Sequence, residues 1–379
     1  MENKIKFLDL RKQFGPIKNQ INSAIKKVLE KGDFIGGEEV KKFEKEFASF
    51  CAAKQAISVN SGTDALFLSL KALGIGPGDE VITTPFTFIA TTEAILNCGA
   101  KPVFVDIDPG TFNIDVLKIE KAITNKTKAI MPVHLFGQTA NMDEIIKIAK
   151  KHKLFVVEDA AQAVGAEYKV GLPRRSAAKA GTMGDLGCFS FFPSKNLGAM
   201  GDGGMIITNN KKLNDKLKLL KNHGSSSQDK YKNLILGTNS RLDAIQAAIL
   251  RVKLKYLKNW IKGRRKVANY YSQNLKGVNE IKIPTIQDGK NHVFHQYTIR
   301  SKKRDALKKY LEGRGIPTMI YYPLPLHLQP ALKYLGYKKN DFPETEKAAR
   351  EVLALPIYPE LSQKEQNLII NKIKEFYKK

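Results

Sequence analysis

From residue 55 onward, short β-branched or aromatic runs alternate with amphipathic stretches, and that alternation restricts the fold more than any other feature of the chain. The runs fall at 55–60, 81–85, 102–106, 129–136, 155–159, 188–192 and 205–208. Stretches with helical spacing lie between several of them, at 64–73, 87–97 and 142–152. The pattern predicts an α/β fold with a mostly parallel, seven-stranded sheet flanked by helices. Residues 11–50 read as helical, with Gly36-Gly37 as a break. A long helical pattern follows Asn239, running from Arg241 through Leu254, Leu257 and Trp260. Beyond about residue 262 come a strand at 293–299, a helix at 305–313, a second strand before Pro323 and a terminal helix at 363–377. The expected division is a large α/β domain over residues 1–250 and a small α+β domain over 251–379.

Composition narrows the class. The 379 residues suffice for one large and one small domain. No apolar run approaches the roughly 20 residues that span a bilayer, and Met1-Glu2-Asn3-Lys4 leads into no apolar signal core. Cys51, Cys98 and Cys188 are odd in number, far apart and without a CxxC pair, which fits reduced, buried thiols in a cytoplasmic protein. The net charge of +26 raises the question of nucleic-acid binding. The lysines are dispersed, however, and stretches such as Asp143-Glu144-Ile145-Ile146-Lys147 mix signs. No basic block is interleaved with aromatics, and no zinc-finger or other metal-ligand spacing occurs. The charge reads as solvated helix faces, or as a surface that attracts anionic substrates.

Three segments carry chemistry. Lys195 lies in Phe191-Phe192-Pro193-Ser194-Lys195-Asn196-Leu197-Gly198, between two apolar runs. Burying an ammonium ion without a partner is expensive, and the same desolvation frees the neutral amine as a nucleophile. Schiff-base chemistry needs that amine, and an acid that protonates a pyridine nitrogen is its usual companion. Asp159, at the carboxyl end of the 155–159 run, stands where open α/β sheets bind ligands. Ser61-Gly62-Thr63 follows a strand and opens a helix pattern, where free backbone N–H groups favour an anion. Taken singly, each has a plainer explanation: a loop lysine, a capping or ion-paired aspartate, and an N-cap serine. Gly74-Ile75-Gly76-Pro77-Gly78 joins a helix to a strand, the wrong place for a dinucleotide fingerprint, and no Walker-type loop is present.

Taken together, the segments resemble the DegT/StrS family of nucleotide-sugar aminotransferases, a branch of the fold-type I pyridoxal phosphate enzymes. Matching motifs run from Phe34-Ile35-Gly36 through Ser61-Gly62-Thr63-Asp64, Glu158-Asp159-Ala160-Ala161-Gln162, Phe189–Lys195 and Gly201-Asp202-Gly203-Gly204. They continue to Asn239-Ser240-Arg241-Leu242-Asp243 and Tyr322-Pro323-Leu324-Pro325-Leu326-His327. The resemblance implies that Lys195 binds pyridoxal 5′-phosphate covalently and shuttles protons, while Asp159 pairs with the pyridinium nitrogen. It implies that Gln162 bonds the ring hydroxyl, that Gly62, Thr63 and Ser190 bind the phosphate, and that Phe88 stacks on the ring. Asn239 would complete the phosphate site from a neighbouring subunit, making a homodimer. As a lone phenylalanine in an apolar stretch, Phe88 also fits a core position.

The reaction so implied moves the amino group of L-glutamate to a nucleotide-linked keto-sugar. Some relatives carry His in place of the lysine and dehydrate instead; Lys195 favours amino transfer. His223, Arg241, Tyr321, Tyr322 and His327 are the expected substrate contacts, with His327 equally suited to a structural hydrogen bond. Met200 stands where many relatives have Tyr, Tyr321 where some 3-keto-uronate enzymes have His, and residues 171–179 look extended. The Phe-Phe-Pro-Ser-Lys and Asn-Ser-Arg-Leu-Asp sequences resemble enzymes acting at C3 of a UDP- or dTDP-linked sugar more than those acting at C4. A dehydratase or a pyridoxal-binding regulator are the alternatives.

Overall fold

The computed structural model describes residues 5–169, 177–226, 229 and 231–378. The expectation at 171–179 lies, up to residue 176, outside the described residues. Seven strands form the central sheet: β1 (Gln55–Val59), β2 (Glu80–Thr83), β3 (Lys101–Phe104), β4 (Thr127–Ile130), β5 (Phe155–Asp159), β6 (Leu186–Ser190) and β7 (Gly204–Thr208), in the order β1-β7-β6-β5-β4-β2-β3. Strands β2 to β6 pair in parallel. Only β7 runs antiparallel, to both β1 and β6. The strands are buried along nearly their whole length, as a sheet covered on both faces requires.

The flanking helices are α1 (Lys18–Lys31), α2 (Gly37–Cys51), α3 (Gly62–Ala72), α4 (Ala90–Asn97), α5 (Met142–His152) and α6 (Lys211–Leu220). In α5, Asp143 and Glu144 open the helix and Lys150, Lys151 and His152 close it, so charge complements the dipole at both ends. The apolar pattern after Asn239 forms two helices, α7 (Ala244–Leu254) and α8 (Leu257–Leu275), rather than one. The division has a packing reason. Ala247, Leu250 and Leu254 face the sheet-side core, whereas Val267, Ala268, Tyr271 and Leu275 belong to a second core. Turning at Lys255-Tyr256 lets each helix bury its own stripe.

That second core is built on a small antiparallel sheet of β8 (Ile281–Lys282), β9 (Tyr297–Ser301) and β10 (Val352–Leu355), in the order β8-β9-β10, with helices α9 (Arg304–Glu312) and α10 (Gln363–Lys378). The strand expected before Pro323 is absent there. Met319 makes a single bridge to Ala354, and the continuous apolar run Val352–Leu355 pairs with β9 instead. Cys51, Cys98 and Cys188 are all free and buried. Among the described residues, no helix is long and apolar enough to cross a membrane.

One edge of the sheet collects the chemically interesting residues. Asp159 ends β5 and Ser190 ends β6. Gly204, which opens β7, pairs with both Val59 and Ser190, which places the β1–α3 turn beside them. A Cβ on Gly62 would lie 2.6 Å from the Ser190 Cβ, and one on Gly204 would lie 2.1 Å from the Ser61 carbonyl oxygen. Only glycine permits that approach. Behind the edge, Phe43 and Phe47 of α2 interlock with Phe189 and Phe191, ring centroids 5.1–5.4 Å apart across the contacts. All four rings are essentially excluded from water. A Phe47→Ala variant is therefore expected to lose about 3–5 kcal/mol of stability, read from the midpoint of urea unfolding, with Phe47→Leu losing less.

Candidate active site

Lys195 follows β6 on a tight turn. Its backbone N–H donates to the Phe192 carbonyl at 2.8 Å, and Ala199 N–H donates to the Phe191 carbonyl at 2.7 Å. A Cβ on Gly198 would lie 2.2 Å from the Pro193 carbonyl oxygen, so the turn closes this tightly only with glycine there. Two side-chain bonds tie it to the rest of the fold. Asn196 Nδ2 donates to the Val293 carbonyl at 3.1 Å, and the buried Lys253 ammonium donates to the Gly198 carbonyl. The turn thus presents Lys195 to a cavity of about 490 Å³, within the size range of small-molecule sites.

Asp159 faces the same cavity from the end of β5. It is 5% exposed. Its Oδ2 accepts from Thr91 Oγ1 at 2.8 Å and its Oδ1 from Ala161 N–H at 3.2 Å. Its backbone is fixed by bonds to the Pro132 carbonyl and from His134 N–H, both 2.9 Å. Burial pushes the Asp159 carboxyl above its ordinary range, opposed by Thr91, Ala161, Lys195 and His134. Burial likewise lowers Lys195 to about 8, although the Asp159 charge pulls it upward. Among the described residues neither group has an ion-pair partner: two opposite charges share one cavity without meeting.

The floor on the other side is the start of α3. Ser61 Oγ caps the helix by accepting from Asp64 N–H at 3.1 Å, so the plain N-cap explanation holds for Ser61. Gly62 and Thr63 line the cavity at the first turn, where backbone N–H groups have no helical acceptor. Ser190 lines it beside them. Gln162 also lines it; its Oε1 accepts from Phe136 N–H at 2.7 Å, and its Nε2 donates to the Tyr322 hydroxyl at 3.0 Å, leaving one amide hydrogen free. Phe88 is 58% exposed and stands at the mouth, 6.4 Å from the Tyr322 ring, so the core alternative for it falls away. Tyr321 and Tyr322 complete that wall.

The remaining expected residues lie elsewhere in this chain. His223, Asn239 and Arg241 cluster on the 222–241 segment: Asn222 bridges Asn239, and Arg241 Nη1 donates to Asn222 Oδ1 at 3.2 Å. None of them lines the cavity of its own chain. His327 is a correction. Its side chain is wholly buried against Phe342, with Nε2 3.2 Å from Glu346 Oε1, so it serves as a structural hydrogen-bonding residue. Thr91, Asp202, Ser194, His295 and Gln296 line the cavity without having been singled out as site residues. For Thr91 a hydroxyl one helical turn from Thr87 was the available signal; His295 and Gln296 arrive from beyond position 290, where local pattern carries no information about the cavity.

The residues fit pyridoxal 5′-phosphate. An acid with no cationic partner, an amine close to neutrality and an anion-binding helix start are held at three sides of one cavity. That donor set matches the ring nitrogen, the aldehyde and the phosphate of that molecule.

A model of the DegT/DnrJ/EryC1/StrS aminotransferase family matches residues 16–374. A protein of Geobacillus stearothermophilus named pleiotropic regulatory protein is 51% identical over 99% of both chains. A UDP-N-acetyl-3-dehydro-alpha-D-glucosamine 3-aminotransferase of Acidithiobacillus ferrooxidans is 45% identical over 95% of both. The crystal structure of NtdA from Bacillus subtilis with bound cofactor PMP superposes with a TM-score of 0.90 at 34% identity, covering 100% of this chain and 86% of that one.

The state of Lys195 is testable without any sugar. In cofactor-free protein, capture of an aldehyde by this amine is expected to rise with pH through a midpoint of about 8, against about 10.4 for an ordinary lysine. The Asp159 charge raises the Lys195 value. Asp159→Asn should therefore move the midpoint lower, which initial capture rates across pH will read.

Proposed function

The chain belongs to the DegT/DnrJ/EryC1/StrS aminotransferase family, and from that premise we propose that it transfers the amino group of L-glutamate to a UDP- or dTDP-linked 3-keto sugar, using pyridoxal 5′-phosphate. The observation that carries this reading is the placement of Lys195 and Asp159 on one cavity, both desolvated and, among the described residues, neither held in an ion pair. When bound, the cofactor supplies an electron sink that makes the proton on the substrate carbon removable. The chain's own residues do the rest. The Asp159 carboxylate, oriented by Thr91 and Ala161, holds the ring nitrogen protonated. Lys195, with an amine near neutrality, serves as covalent anchor and then as the base and acid that moves a proton at its Nζ. The N–H groups of Gly62 and Thr63 and the Ser190 hydroxyl bind the phosphate at the start of α3. Phe88 stacks from the mouth, and Gln162 offers its remaining amide hydrogen to the ring hydroxyl.

Amination at C3 is supported by the 45%-identical relative named for that position. A basic surface of net charge +26 favours capture of the nucleotide diphosphate. A homodimer is part of the reading. Asn239, Arg241 and His223 gather on one segment away from their own cavity, and the same segment carries Leu236, 96% exposed. Such a segment suits a partner's site, where Asn239 would reach the phosphate and Arg241 a sugar carboxylate. The three free, buried cysteines are compatible with the cytoplasm.

The 51%-identical relative's name makes regulation a second reading. Holoprotein should be yellow and lose its colour on borohydride reduction. A Lys195→Ala variant that kept a reducible covalent chromophore would overturn the site. Incubation with L-glutamate and a panel of keto-sugar nucleotides should yield 2-oxoglutarate and a 3-amino sugar. Salt-sensitive DNA binding with no 2-oxoglutarate would instead favour the regulator.

The shared site has its own test. Lys195→Ala and Asn239→Ala proteins, each inactive alone, should regain activity when unfolded and refolded together, because a mixed dimer contains one intact site. Two variants that stay inactive in a verified mixed dimer would place Asn239 and Lys195 in the same subunit's site.

A further inference from the structure

A second cavity of about 440 Å³ lies against the first. The two share Ser194, His295, Gln296 and Tyr321, so they adjoin across these side chains. Its lining is mixed. Phe7, Leu8 and Pro317 make part of it apolar, Lys6 adds a cation held by Asp9, and Arg264 of α8, 3% exposed, adds a buried one. Arg264 Nη1 donates to the carbonyls of Phe294, His295 and Ile357 at 3.1, 3.2 and 3.1 Å. Among the described residues, its Nε and Nη2 donate no hydrogen bond, and no carboxylate lies within ion-pair distance. Glu360 is the one acid whose charge it feels; that residue does not line the cavity, and its own Oε2 is buried without a partner.

A buried guanidinium with no acid within ion-pair distance is a costly arrangement. Desolvation lowers Arg264 only to about 10, so it remains charged at neutral pH. Next to it, His295 Nδ1 and Gln296 Oε1 are also buried without partners. An incoming carboxylate would satisfy the guanidinium fork, the geometry that arginine recognises best. A diphosphate fits less well, because most of the lining is apolar and Lys6, the other cation on it, is already bonded to Asp9 at 3.1 Å. A carboxylate at the end of a short methylene chain matches both the guanidinium and the apolar lining.

We propose that this cavity receives the distal carboxylate of a dicarboxylic amino donor such as L-glutamate, with Arg264 as its binding residue. The donor's amine then lies in the Lys195 cavity and its methylenes lie along Phe7 and Leu8. The proposal rests on the aminotransferase reading for the identity of the donor.

Two variants test it. Arg264→Gln removes the charge; Leu8→Trp fills the space from the apolar side and leaves the guanidinium and its three carbonyls untouched. In holoenzyme, each should raise the L-glutamate concentration needed for half-maximal conversion of the cofactor's absorption by about ten- to a hundredfold. The second half-reaction, with a keto-sugar nucleotide, should be unchanged. Glutarate, which has both carboxylates and no amine, should bind wild-type protein in a calorimeter and not bind folded Leu8→Trp. Unchanged glutamate dependence in folded Leu8→Trp overturns the proposal, and so does a selective loss in the sugar half-reaction. If wild type binds glutarate in this variant-sensitive way yet never converts with L-glutamate, the dicarboxylate pocket stands and the donor assignment falls.

Discussion

The desolvation of two opposite charges that are kept from pairing is the constraint around which this molecule is arranged. An amine and a carboxyl buried in one cavity would gain most by meeting, and a direct bond would leave neither free to act on a ligand. The scaffold prevents it by fixing each from behind. Asp159 is tied through Thr91, Ala161, Pro132 and His134. Lys195 rides on a turn closed at Gly198 and pinned by Asn196 and Lys253. Lys253 is itself buried and lowered to about 8 by desolvation. A second lysine is thus spent on holding the loop of the first.

The layer beneath Asp159 works in the same direction. Glu158, one residue earlier, points to the opposite side of β5 and is completely buried. It accepts from Gly181, Met183 and Gly184 N–H groups at 2.6–2.7 Å and meets His134 Nε2 at 2.7 Å. His134 Nδ1 accepts from Ala140 N–H, so the proton sits on Nε2 and points at Glu158. A carboxylate satisfied on every side welds the end of β5 to the 181–184 turn. Adjacent acids on one strand therefore have opposite tasks: Glu158 is fully bonded and structural, whereas Asp159 keeps capacity for a ligand.

Much of this was legible in the sequence, and the boundary of legibility is physical. The alternation of short apolar runs with amphipathic stretches specified the sheet, because strand and helix periods are local properties. Lys195, Asp159 and the Gly62 turn stood out because each sits at a strand end beside residues with special backbone demands. The failures are all non-local. The division of α7 from α8 depends on two cores competing for one apolar stripe, and the pairing of β10 with β9 depends on a contact some fifty positions apart. His327 within Tyr-Pro-Leu-Pro-Leu-His suited a substrate contact and a structural hydrogen bond equally, and what decides for the second, its burial by Phe342 and Glu346, comes from a later segment. For Phe88 local pattern pointed to the core and only the resemblance to the site: an apolar residue in an apolar run is exposed, because its turn opens on the cavity.

Arg264 extends the same reasoning to a residue that no local motif marks. In sequence it is one of two adjacent arginines on a long basic helix, Lys262-Gly263-Arg264-Arg265-Lys266, and reads as solvated surface. In the fold, the helical period turns Arg264 inward, where it joins Phe294, His295 and Ile357 around one nitrogen. Those three carbonyls come from the 293–296 crossing and from the segment after β10, so the guanidinium knits the second core together while Arg264 also lines the cavity that adjoins the Lys195 cavity. A charge needed for assembly alone could have been matched by an acid or replaced by an apolar side chain at less cost. Its place on the lining of a cavity that adjoins the Lys195 cavity is what favours a binding role over a purely structural one.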